Sequence, residues 1–176
     1  MANENQHEPR VIYDAAMPYV SHLSEALPRR VSVRGEWRMV LTGPDGAVKD
    51  IREGHNVVVD NGLEKLCEFL NSAAATASTN TFKYIAIGTD STAEASSNTA
   101  LGTEVSRHTG TVSYISGKIY QVKATFATGS GTGAIVEYGL LNSNTGGTLF
   151  ARDTESAVNK GANDTLTVTA QYTFSG

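Results

Sequence analysis

The side chains able to do chemistry are few and widely spaced. A thiolate nucleophile needs a neighbouring base or positive charge, and Cys67 is the one cysteine in 176 residues, with His55 and His108 as its candidate bases. Its spacing argues otherwise, because Cys67 falls on the same helical stripe as Leu63 and Leu70, where a small buried side chain is expected. Glycan cleavage needs an acid and a base or nucleophile across the scissile bond. Glu104, Glu137, Asp153 and Glu155 are the available carboxylates, but nothing in the sequence fixes their separation. The run Gly129-Ser130-Gly131-Thr132-Gly133 has the glycine content of a phosphate cradle. It precedes a strand, however, and no Lys-Ser or Lys-Thr pair opens a helix there, so a flexible hairpin loop is expected. His7, His22, His55 and His108 show no metal-ligand spacing and no acidic loop follows the calcium pattern. The reading is therefore no catalytic residue, no metal and no cofactor. Trp37, Tyr84, Tyr114, Tyr120, Tyr138 and Phe150 would form a carbohydrate-stacking surface if several faced outward on one sheet, although their apolar-rich strands favour core packing.

The elements that would position these residues are mostly strands. Residues 1–30 hold three of the four prolines, Pro9, Pro18 and Pro28, which interrupt any helix and favour extended geometry before each. Between them Val11, Ile12, Tyr13, Met17, Tyr19, Val20, Leu23 and Leu27 supply more apolar surface than a solvated linker needs. An extended arm that anchors to a partner is expected. From Val31 onward Val33, Trp37, Met39 and Leu41 alternate with polar residues, allowing a slip near Gly35. The turn Gly43-Pro44-Asp45-Gly46 then reverses the chain into a second strand through Val48, Ile51 and Val57-Val58-Val59, completing a hairpin. Asp60 or Asn61 caps a helix through Leu63, Leu66, Cys67 and Leu70, and the low-complexity run 72–78 leads out of it.

Further strands are expected at 82–87, 109–116, 119–127, 134–141, 148–153 and 166–174. In the last, Leu166, Val168, Ala170, Tyr172 and Phe174 alternate with polar residues, as in a sheet with one face on a core. The sequence thus predicts a mainly β protein: an antiparallel two-sheet sandwich of about eight strands, jelly-roll-like, over residues 31–176, with one short helix and an N-terminal arm.

Composition agrees and narrows the function classes. Charged residues are 18% of the chain, below the roughly 25% typical of soluble domains. Net charge is -4, and the 14 Lys and Arg are scattered, so nucleic acid is not an expected partner. No apolar run approaches the roughly 20 residues that span a bilayer, and the first residues lack a basic-then-apolar leader. Neither membrane insertion nor export is expected. One cysteine excludes an internal disulfide, so packing must hold the fold.

Five runs in order carry a resemblance: Asn56-Val57-Val58-Val59-Asp60-Asn61-Gly62-Leu63; Tyr84-Ile85-Ala86-Ile87-Gly88-Thr89; Thr99-Ala100-Leu101-Gly102-Thr103-Glu104-Val105-Ser106-Arg107; Val136-Glu137-Tyr138-Gly139-Leu140-Leu141-Asn142; and Gly147-Thr148-Leu149-Phe150-Ala151-Arg152. The series resembles small bacteriophage virion structural proteins of the tail-fibre or collar kind, over about residues 30–176. The resemblance implies a non-enzymatic subunit located in the virion, assembled in the bacterial host cytoplasm and repeated as a homo-oligomer, with a trimer favoured. Its implied partners are other virion proteins. Gly88 and Gly139 are expected where a Cβ would crowd a strand. Glu104 and Arg107 are expected to pair on a helical turn and pin the long loop after Gly88. A short fibre or collar-like subunit at the neck or tail is the first expectation. A capsid decoration protein is the second, and a module that binds or cleaves a host surface glycan the third.

Overall fold

In a computed structural model of the chain, residues 32–71 and 81–175 are described. The expected arm, with Val11, Ile12, Tyr13, Met17, Tyr19, Val20, Leu23 and Leu27, lies outside them, as does the run 72–78. The described residues form β1 (Ser32–Thr42), β2 (Val48–Val58), α1 (Asp60–Asn71), β3 (Tyr84–Gly88), β4 (Glu104–Thr109), β5 (Thr111–Ser116), β6 (Ile119–Phe126), β7 (Gly133–Leu141), β8 (Leu149–Lys160) and β9 (Thr165–Ser175). The protein is mainly β; the described residues hold a single short helix, and every strand among them pairs antiparallel. Nine strands are present among the described residues where about eight were expected.

Alternation forms β1, and it runs without the expected slip: Gly35, Trp37, Met39 and Leu41 are all buried. The turn closes as its residues dictate, with Gly46 N–H donating to the Gly43 carbonyl at 3.0 Å. There Gly46 takes φ 81, a region open mainly to glycine. β1 pairs β2 on one side and β9 on the other.

The strand order is β4-β3-β7-β8-β2-β1-β9-β6-β5, and two corners fold this ribbon into two facing layers. At the first corner β2 leaves β1 and pairs β8 through Val57 and Val58 only. At the second, β4 continues through Gly110 into β5, and the Gly110 N–H donates to the Lys83 carbonyl. One layer is β2-β1-β9-β6-β5 and the other β4-β3-β7-β8-β2.

The core lies between the layers. It joins Trp37, Met39, Phe126, Leu166, Val168 and Tyr172 of the first to Ile85, Ile87, Ile135, Tyr138, Leu140 and Phe150 of the second. Ring contacts cross it, Trp37 to Tyr138 at 4.7 Å and Phe150 to Tyr172 at 4.8 Å, geometry that aromatic pairs favour. A smaller cluster of Val59, Ala86, Leu101, Leu141 and Leu149 lies on the outer side of the second layer, beneath the connection 89–103.

Three further expectations are corrected. The helix forms where expected, but Asp60 is its first residue and its carboxylate accepts from Ser96 Oγ, and Leu66 and Phe69 pack on the core while Leu63 and Cys67 are exposed. Its buried stripe is rotated, because Gly62 seats the first turn against Phe150 of β8 and Phe69 meets Phe82. The glycine run 129–133 is not a hairpin loop, since it carries the chain from β6 in one layer to β7 in the other. The strand expected at 148–153 extends to Lys160.

Candidate functional site

Among the described residues, Glu137 and Arg152 form the most heavily bonded polar cluster. Register sets Gly139 opposite Arg152 and Glu137 opposite Thr154 on β7 and β8, and cross-strand partners share a face. Both charges therefore point to the outer side of the second layer, where Glu137 is 0% and Arg152 2% exposed. Arg152 donates from Nε and Nη2 to Glu137 Oε2 at 3.0 and 2.8 Å. Its remaining donors reach the Thr92 carbonyl at 2.9 Å, Asn98 Oδ1 at 3.3 Å and Asp90 Oδ2 at 3.4 Å. A guanidinium has five N–H groups, and all five are used. Glu137 in turn accepts from the backbone N–H groups of Thr103 at 2.7 Å, Gly102 at 2.9 Å and Asp90 at 3.3 Å.

These bonds hold the connection 89–103 flat against the sheet. The segment is further fixed where Thr154 Oγ1 donates to Glu94 Oε2 at 2.6 Å and the Asp60 N–H donates to the Ser96 carbonyl at 2.9 Å. Asp90 has its carboxyl held below its ordinary pKa by hydrogen bonds from Thr92 and by the Arg152 charge. Burial pushes the Glu94 carboxyl upward, but hydrogen bonds from Thr154 and from its own backbone, together with the Arg152 charge, make the net shift downward.

The motif glycines make this closure possible. A Cβ on Gly88 would stand 2.4 Å from both Glu137 Oε1 and the Thr103 carbonyl, and one on Gly139 would stand 2.6 Å from Leu101 Cδ1.

Glu104 and Arg107 do pair, with Arg107 Nε and Nη2 donating to the two Glu104 oxygens at 2.9 and 2.6 Å. The expected helical turn is corrected, because both lie on strand β4. Residues three apart on a strand normally face opposite sides. Here Gly88 pairs Glu104 while Ile87 pairs Ser106, so a bulge at Val105 returns both to the outer face. The pinned segment also differs: Arg107 Nη1 donates to the Ser143 and Gly146 carbonyls, each at 2.8 Å. That secures the β7–β8 turn, whereas the connection after Gly88 is secured by Glu137 and Arg152.

The remaining candidates are placed apart. Asp153 is buried and accepts from the Tyr138 hydroxyl at 2.6 Å. Burial raises its carboxyl above the ordinary value, and also raises the Tyr138 hydroxyl. Glu155 is exposed. His108 shares a hydrogen bond with Ser130 Oγ at 2.9 Å, and Arg34 donates to His55 Nε2 at 3.0 Å; neither histidine is bonded to Cys67. Among the described residues no group of three or more His, Cys, Asp or Glu side chains is placed to hold a metal ion. Trp37, Tyr138 and Phe150 are core residues, Tyr84 and Tyr120 are half-buried, and Tyr114 faces solvent. A polar groove of about 500 Å³ crosses the first layer, lined by Glu36, Arg38, Glu53, His55, Gln121 and Gln171 among others.

Sequence reasoning singled out Glu137 but not its partner. The available signal was one acid in the apolar run Ile135 to Leu141 and one base closing Leu149 to Arg152, two lone opposite charges on neighbouring buried strands. Comparison of the chain with protein-family models, curated proteins and solved structures found no match.

Proposed function

We propose that this chain is an accessory structural subunit of a bacteriophage virion, a short fibre or collar-like element at the neck or tail, attached through residues 1–30. One observation supports the reading above the others: all five runs that carry the resemblance meet in a single stiffening clasp. Val57 pairs Arg152, and Gly88 abuts Glu137. Gly102 and Thr103 bond Glu137, and Glu137 bonds Arg152. The clasp has spent its hydrogen-bonding capacity on the protein itself. Such a group rigidifies and specifies a fold, which suits a subunit that works by shape and repetition. Removing residues 1–30 is expected to abolish incorporation into particles, read by immunoblot of purified virions; unchanged incorporation would remove the anchoring role.

Copy number tests the position. A few dozen copies or fewer per particle accords with the neck or tail, and several hundred with a decoration protein on the capsid lattice. The groove over Glu36, Arg38, Gln121 and Gln171 supports a second reading, a module that holds a host surface glycan, since planar polar side chains suit paired hydroxyls. A glycan array with the purified chain tests it, with Gln171→Ala expected to weaken any signal.

A further inference from the structure

A serine and a histidine meet where the chain crosses from β6 to β7. Ser130 stands in that connection between Gly129 at φ 76 and Gly131 at φ 61, a left-handed backbone that glycine adopts without steric cost. The turn is closed by the Gly129 N–H on the Ala162 carbonyl at 2.8 Å and the Ser130 N–H on the Ala127 carbonyl at 3.1 Å. On β4, Ser106 and His108 pair Ile87 and Ile85, two core residues, so both face inward. The His108 ring lies against Phe126 at 4.6 Å. Its Nε2 is 2.9 Å from Ser130 Oγ, and Ser106 Oγ is 3.1 Å from the same oxygen.

Sequence offered His108 as a base for Cys67, and the fold gives it a hydroxyl instead. A serine nucleophile needs its base within about 2.6 to 3.2 Å. The three groups make one chain when Ser106 donates to Ser130 and Ser130 donates to an Nε2 that carries no proton, an assignment of hydrogens that the oxygens and nitrogens allow. A developing oxyanion also needs fixed N–H donors, commonly one from the residue after the nucleophile. Among the described residues, no turn or loop bond occupies the N–H groups of Gly131 and Thr132.

We propose that Ser130 and His108 are an acyl-transfer pair that cleaves short-chain esters of acetyl size. Ser130 Oγ bonds the ester carbonyl carbon while its proton passes to His108 Nε2, and the ester C–O bond breaks as that proton moves to the departing alkoxide. Water then gives a proton to the same imidazole and bonds the acyl carbon. The carboxylic acid leaves and the proton returns to Ser130 Oγ. The substrate is short because Ser130 is only half-buried, in a turn exposed at Gly129 and Thr132, which leaves the alcohol in solvent. Turnover is slow, since among the described residues no carboxylate is bonded to His108, and in a full triad that orienting group is worth about 10⁴-fold. The proposal does not depend on the virion reading, because it concerns the purified chain.

Two probes test it on the whole chain: p-nitrophenyl acetate as substrate, and a fluorophosphonate that loses fluoride to an activated serine. The expected results are release of p-nitrophenol above the buffer rate and one phosphonyl group, mapped by mass spectrometry to Ser130. Ser130→Ala and His108→Gln should each lower both tenfold or more with the circular dichroism spectrum retained, whereas Ser156→Ala, at an exposed serine on β8, changes neither. The label needs no variant, so it decides the question even where a substitution unfolds the chain. Absence of label at Ser130 in the unmodified chain, or hydrolysis indifferent to Ser130→Ala, would overturn the assignment.

Discussion

The Arg152 guanidinium and the Glu137 carboxylate are stable out of water only because each satisfies the other and the loop satisfies both. Removing one partner from a buried pair typically costs about 3 to 5 kcal/mol, since the remaining charge stays buried. Arg152→Ala is accordingly expected to lower unfolding stability by about that amount in urea titration, and to release residues 89–103 to proteolysis. Glu137→Leu combined with Arg152→Met should cost less than either single loss, because neither leaves an unpaired ion. Asp153 has the opposite sense. Its folded carboxyl has a raised pKa, so the folded state holds this proton more tightly than the unfolded chain. Its stabilising contribution is therefore greatest at low pH and is lost as pH rises from the unfolded value of about 3.9 through the folded one. Asp153→Asn, whose amide oxygen still accepts from Tyr138, should raise the melting temperature at pH 7 and lose that advantage on acidification. Asp90 and Asp164 behave conversely: hydrogen bonds, from Thr92 to one and from Lys49 to the other, lower their carboxyls. What they contribute is present above about pH 4 and disappears as pH falls through their folded values.

At the scale of elements, legibility followed periodicity. β1 and β9 alternate cleanly, and the hairpin turn carries residues whose conformational preferences point one way, so each formed where expected, as did the start of the helix. β4 did not announce itself, because its bulge at Val105 breaks the period of two and its polar side chains read as loop. Glu104 and Arg107 were legible as a pair but not as strand neighbours. The pairing of Glu137 with Arg152 was missed for a different reason: two lone opposite charges were visible, but the register between β7 and β8 that joins them is set by bulges that sequence spacing does not encode. The helix stripe was misread by one step because its buried side is chosen by the surface it meets. The glycines make the element-scale prediction. Gly88→Ala meets a backbone carbonyl and the Glu137 carboxylate, whereas Gly139→Ala meets chiefly the mobile ends of Leu101 and Leu149. Gly88→Ala should be the more destabilising, by about 1 to 3 kcal/mol, as is common for overpacking in a well-packed core. Chemical denaturation of the two variants side by side checks the order.

At the largest scale, the described residues make two layers, two corners and one loop clamped by an ion pair. The groups that sequence alone offered for catalysis are dispersed, bonded to structure or exposed singly. Glu137 and Arg152 stiffen the second layer, and Asp153 bonds Tyr138 in the core. The proposed work of such a body is to be held in place and repeated, with residues 1–30 as the attachment. Immunogold electron microscopy of intact phage particles, using antibody raised against residues 31–176, tests that proposal most directly. Label on the particles, gathered at the neck or tail, is the predicted result, and particles that carry no label while the protein accumulates free in the lysate would contradict it.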